Sequence, residues 1–180
     1  MSIDLEKLKF PIGEFVNPDV IEFKDIEQFI GVIEDFPNKL KSNLELLSVE
    51  ELNWIYRPNG WNIKQVVHHC ADSHINSFVR FKLALTEENP TIKPYDEAKW
   101  ALQIDGNDND VLGSLKIIDG LHYKWSLLLK SLSMADWKRT FYHPENKKTS
   151  QLDEIIAFYT WHSKHHLAHI EQALFYKKNF

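Results

Sequence analysis

The chain has 180 residues, 43% of them hydrophobic and 26% charged, with a formal net charge of −5. That length and balance fit one globular domain over residues 1–180 and argue against wholesale disorder. No basic stripe, no bilayer-length apolar run and no charged-then-apolar leader stands out, so neither nucleic-acid nor membrane partners are expected, and a cytoplasmic location is. A single cysteine, Cys70, excludes an intrachain disulfide and fits a reducing compartment. Six glycines form neither GxGxxG nor a P-loop, and no GxSxG is present, which argues against nucleotide cofactors and a serine-nucleophile elbow.

The first amphipathic segment runs from Ile26 to Leu47, with Ile26, Phe29, Ile30, Ile33, Leu40, Leu44 and Leu47 at helical spacing. Pro37 falls inside it, so a kink or break near Phe36 is expected. Ser48 to Glu51 reads as a capping box for a short helix. The second long helix starts at Asn62, with Gln65 completing a capping box and Trp61 stapling against Val66. It should run to about Glu87 and stop before Pro90. Asn89 to Asn109 reads as loop with a short helix within Asp96–Ile104. The third helix spans Asp110 to Leu132 and turns Leu115, Ile118, Leu121, Trp125 and Leu129 inward. Ser133 to Trp137 is a capped turn of helix, and Lys138 to Thr149 an extended excursion. Ser150 with Asp153 caps the fourth helix, which runs to about Lys177. Four long helices with longish connections predict an all-α four-helix bundle with an extended excursion before the last helix. Asp105, Asn107 and Asn109 imitate the start of an EF-hand loop. The pattern fails at Asp110 and Lys116, where glycine and glutamate are required, so calcium is not expected.

Four of nine histidines fall within WHSKHHLAHI: His162, His165, His166 and His169. Residues four apart share a helix face, so His162/His166 and His165/His169 are two bidentate pairs. The competing reading is a solvated or core-satisfied patch. With Ile155 at zero and about 100° per residue, His162 lies near −20° and His166 near 20°, inside the apolar stripe. His169 lies near −40° and His165 near −80°, as a flank. An inward imidazole pair is costly unless something binds it, and a catalytic metal wants a third protein ligand with an open position. On the second helix His69 borders the apolar face, in line with Ser73, Asn76 and Arg80, which reads as a cavity wall. His68 should face solvent, and His74 should be a core histidine. The metal ligands are therefore expected to be His69, His162 and His166. His122, inward on the third helix, and His143, on the excursion, are candidates to touch substrate.

The stretches FPIGEF, YRPNGWNIKQVVHHCADSHINSFVRFKLALTEENPTIKPYDE, FYHP and WHSKHHLAHI together resemble the DinB/YfiT superfamily, and its YfiT-like metal-dependent hydrolases in particular. The resemblance covers nearly the whole chain. It implies a four-helix bundle, one divalent metal per chain on three histidines falling on His69, His162 and His166, a homodimer and a cytoplasmic setting. Cys70 departs from the family pattern, which commonly has Leu there.

Three functions are compatible with such a site. The first is a hydrolase of a small-molecule substrate using a metal-activated water, with zinc the expected ion and nickel one that purification can load. No carboxylate is expected on the inward lines of the second and fourth helices to serve as base. The second is a transferase binding a low-molecular-weight, bacillithiol-type thiol as thiolate, with Arg80 and Tyr56 or Arg57 holding its anionic part. The third is a metal-binding bundle without turnover. A structural zinc site is usually closed by a fourth ligand, which weighs against the third.

Overall fold

The computed structural model describes residues 4–180. A short helix α1 (Leu5–Lys9) comes first, capped by Asp4, and a coil leads to α2 (Phe23–Leu44). The one-turn helix α3 (Val49–Leu52) begins at the expected Ser48–Glu51 box: the Ser48 amide donates to Glu51 Oε2 at 2.8 Å. Helix α4 (Ile63–Thr86) is capped as its sequence predicts, by reciprocal bonds between Asn62 and Gln65 at 3.0 and 3.2 Å. The connection to the next long helix carries α5 (Glu97–Trp100) and a single 3-10 turn, Asp105–Asn107. Then come α6 (Leu112–Lys130), α7 (Met134–Trp137), an antiparallel hairpin of β1 (Thr140–His143) and β2 (Lys148–Gln151), and α8 (Leu152–Tyr176).

Helices α2, α4, α6 and α8 form the four-helix bundle. Each long helix packs on two others, giving the cyclic order α2–α6–α4–α8. No described helix is long and apolar enough to cross a membrane. The core falls into two apolar layers. One holds Phe36, Leu40, Ile63, Val66, Val67, Cys70, Ile118 and Ile170. The other holds Ile26, Ile33, Phe81, Trp125, Leu129, Leu152 and Ile156. In helix register the stretch between them carries His69, Ser73, His74, Ser77, His122, His162, Ser163 and His166, all buried. A belt of polar groups at mid-bundle costs stability unless each group finds a partner.

Three expectations of local structure need correction. Helix α2 continues through Pro37 without a break. Proline removes one backbone donor, and here the loss is offset by burying its ring, next to Phe36, in the core. Helix α8 starts at a Gln151–Glu154 box and not at Ser150–Asp153, because Ser150 is still paired with Phe141 in the hairpin. The Gln151 amide donates to Glu154 Oε2 at 3.2 Å, while buried Asp153 accepts from Lys138 Nζ at 2.5 Å. His68 is not solvent-facing. The connection before α6 folds over it, leaving it 5% exposed, with Ser114 Oγ at 2.8 Å and the Asp108 carbonyl at 3.1 Å.

Candidate metal centre

Helix α4 contributes His69, and the neighbouring α8 contributes His162 and His166 one turn apart. Their Nε2 atoms converge. His162 Nε2 lies 3.2 Å from His69 Nε2 and 3.2 Å from His166 Nε2, and one ring nitrogen of each residue falls within 4.8 Å of the other two. Burial drives all three toward the neutral form. It lowers His69 to about 4, and His162 and His166 fall well below the ordinary imidazole value, with neighbouring imidazoles adding to the effect.

That donor set fits a divalent ion. Ligands at 2.0–2.1 Å in a tetrahedron are separated by about 3.3 Å, close to the spacing seen here. Neutral imidazole nitrogens on three corners would leave a further position open. Among the described residues this is the one group of three or more potential ligands so closely placed.

Behind His162 lies a second line of contacts. His162 Nδ1 is 3.2 Å from His74 Nε2, His74 Nδ1 is 2.7 Å from His122 Nε2, and His122 Nδ1 is 2.5 Å from the backbone carbonyl oxygen of Ile33. Burial lowers His74 far below its usual value and His122 to about 4, so each ring carries a single proton at neutral pH.

A cavity of about 510 Å³ opens in front of the three-histidine cluster. Aromatic walls come from Phe15, Trp61, Phe158 and Trp161. Ser73, one helical turn beyond His69, reaches the same space and lies 3.3 Å from the Tyr159 hydroxyl. Arg80, Tyr95, Glu97, His143, Lys148 and Glu154 supply polar lining. Arg80 lies eleven residues along α4 from His69, about 16 Å along the axis, and it acts on the Glu97 carboxyl. Burial raises the Glu97 carboxyl above the usual range, and Arg80 opposes that rise.

The expected site residues divide into two groups. His69, His162 and His166 come together, and Ser73, Arg80 and His143 line the cavity with them. The other four do not reach it. Asn76 turns its amide back to the Asp72 carbonyl at 2.8 Å. Tyr56 is buried with its ring stacked 3.7 Å from that of His169, and Arg57 lies over Tyr56 and donates to the Pro58 carbonyl. His122 sits behind the cluster, in the line that ends on Ile33. The flanking histidines also separate. His165 lines the cavity, stacked on Trp161, whereas His169 bonds the Lys9 carbonyl of α1 at 3.1 Å.

Two carboxylates line the cavity, neither of them on the inward lines of the second and fourth helices. Glu97 comes from a loop, where no periodicity announces it. Glu154 was legible: with Phe158, Trp161 and His165 it makes a helical row on the shoulder of the apolar stripe. That shoulder faces the cavity and the N-terminal coil. The EF-hand imitation is used structurally: Asn109 Oδ1 accepts from Asn53 and from Lys64 Nζ.

The sequence model of the DinB superfamily matches residues 33–170. A Bacillus subtilis protein named "Putative metal-dependent hydrolase YfiT" is 44% identical over 92% of this chain and 93% of its own. A second relative, from Oceanobacillus iheyensis and likewise named a "Putative metal-dependent hydrolase", is 49% identical over 90% of this chain and 93% of its own. The solved structure of the B. subtilis protein superposes with a TM-score of 0.90 over 93% of this chain and 95% of that one. A mycothiol-dependent maleylpyruvate isomerase, at 15% identity, shares the fold alone, with a TM-score of 0.60 over 81% of this chain and 63% of that one. By the family match and the identity to these relatives, the chain belongs to the DinB superfamily.

Proposed function

We propose that the protein is a hydrolase of a small, partly apolar molecule, dependent on one divalent ion, with zinc the first choice, held by His69, His162 and His166. The observation that carries this reading is the convergence of three buried, neutral imidazoles in front of a cavity, with His162 Nε2 3.2 Å from the Nε2 atoms of both His69 and His166. The names of the curated relatives support the reaction class.

When bound, such an ion supplies Lewis acidity, polarising a carbonyl or phosphoryl oxygen and making water acidic near neutral pH. The remaining work falls to the chain. The three imidazoles hold ligand lone pairs in place and, being neutral, add no positive charge that would repel a cation. Trp61, Phe158 and Trp161 exclude bulk water and bury the apolar part of the substrate. The Ser73 hydroxyl is positioned to donate a hydrogen bond beside the cluster, and Arg80 with Glu97 orients a polar group at the far end. The thiol-transferase alternative drew on the want of a carboxylate near the ligands. Glu97 and Glu154 line the cavity away from the cluster, Glu97 beside Arg80 and Glu154 two turns before His162, so the names of the relatives and not a nearby base favour hydrolysis.

The test is direct. Protein stripped with chelator and reloaded with zinc should contain near one ion per chain and hydrolyse members of an ester and amide panel, losing that activity in His162→Ala. Conjugation of a thiol to an electrophile, with no thiol-independent hydrolysis, would replace the reading.

A further inference from the structure

The histidines behind the cluster do not belong to the ligand set, yet they account for four of the belt's ring nitrogens. Their contacts run in one line: Ile33 carbonyl, His122, His74, His162. His74 and His122 are 0% and 1% exposed, so solvent supplies no competing partner. One end of the line is chemically fixed, because a backbone carbonyl oxygen only accepts. His122 must therefore carry its hydrogen on Nδ1 to meet Ile33 at 2.5 Å. A neutral imidazole then has only a lone pair at Nε2, which must accept from His74 Nδ1. His74 Nε2 is in turn a lone pair, and it must accept from His162 Nδ1. His162 is left with one free lone pair, at Nε2, the atom that faces His69 and His166.

We infer that the Ile33–His122–His74 line fixes His162 in the Nδ1–H tautomer and so aims its Nε2 lone pair into the three-histidine cluster. His122 and His74 are positioning residues that act through His162. The use to which that lone pair is put rests on the metal site proposed above; the direction of the hydrogen bonds does not. Reversing the line would set the bare Nδ1 lone pair of His122 against the Ile33 carbonyl oxygen, which would be left without a donor, and would place a hydrogen on the ligating nitrogen. Groups that hold a ligating histidine's other ring nitrogen commonly alter metal affinity by about 10- to 100-fold. Here that function is carried by two further imidazoles in series, ending on the backbone of α2, so all four bundle helices bear on one ligand atom.

The experiment uses full-length, metal-free protein labelled with ¹⁵N. Long-range proton–nitrogen correlation near pH 7.5 should show His162, His74 and His122 each as a single Nδ1–H tautomer. His122→Leu removes the acceptor for His74 and should leave His74 and His162 as tautomer mixtures. His122→Gln keeps an acceptor and a donor on one group and should restore the single form. In chelator competition, zinc affinity should fall about 10- to 100-fold in His122→Leu and return to within about threefold in His122→Gln. An Nε2–H tautomer at His162 in the wild type overturns the inference, whether or not any variant folds. So does an unchanged His162 in His122→Leu, or an equal affinity loss in both variants, which marks lost packing. Wild-type protein that binds no zinc overturns the metal site instead, and the tautomer pattern still decides the line.

Discussion

Two histidine pairs lie on the same helix, with the same spacing, and end in different chemistry. His162 and His166 point where α8 faces α4, meet His69, and form a cluster with convergent nitrogens. His165 and His169, three residues further round, meet no third imidazole of their own. His165 lies flat on Trp161, with ring centroids 4.4 Å apart, and His169 lies flat on Tyr56 while holding the carbonyl of Lys9. The i,i+4 spacing supplies only the opportunity for two ligands. What decides is the residue opposite: an imidazole from α4 in one case, aromatic rings and a backbone oxygen in the other.

That contrast can be broken at its strongest point first. His166→Ala should lower zinc affinity at least about 100-fold, read by chelator competition, because it removes one of three ligands. His169→Ala should leave affinity within a few-fold and instead reduce stability by about 1–3 kcal/mol in urea unfolding, through loss of the ring stack and the link to α1. Comparable affinity losses in both variants would dissolve the distinction.

Acidification should act on both pairs in the metal-free protein. Burial lowers His165 to about 4 and His169 to about 3 in the fold, against about 6.5 when unfolded. The unfolded chain therefore binds more protons between those values, and unfolding free energy rises with pH across that window. Stability should be level above about pH 7.5 and fall steadily as pH drops from 6.5 toward 4, measured by urea titration at fixed ionic strength. The His69 and His122 rings, both lowered to about 4, add to the same slope. A flat profile over that range would mean these rings are not buried as described. The smallest effect belongs to His165→Gln: zinc affinity within about threefold, since the ring touches the cavity and is no part of the cluster.

Much of the scaffold was legible from local chemistry. The Asn62–Gln65 and Ser48–Glu51 boxes and the apolar periodicity of the long helices depend on near neighbours, and they form as read. The three clustered histidines were legible because a helical wheel and a polar line on α4 both reflect the face turned to the bundle. What escaped depended on distant chain. His68 looks outward on its own helix, and only the folding of Asp108 and Ser114 over it makes it interior. Ser150 has the composition of a cap but is held in a strand by Phe141. His122 points inward as expected, yet His74 stands between it and the cavity side of His162. Tyr56 and Arg57 were assigned to an anionic cosubstrate from charge and ring chemistry alone, while Tyr56 stacks on His169 and its carbonyl accepts from Gln172 of the same helix.

The coil after α1 has one further consequence. Helix α1 is fastened to α8 by Gln172, which donates to the Leu8 carbonyl, and the coil by two further bonds: Trp161 Nε1 donates to the Gly13 carbonyl, and Asn17 donates to Glu154. Between those fastenings Phe15 forms part of the cavity wall. None of these residues touches the three-histidine cluster through a hydrogen bond, and none lies in the two apolar layers. The Phe15 part of the wall can thus change without disturbing the three-histidine cluster or the two apolar layers. One part of the wall comes from chain far from the three histidines, while Phe158 and Trp161 come from their own helix, so relatives that differ only in the leading segment would be expected to differ in the molecules they accept.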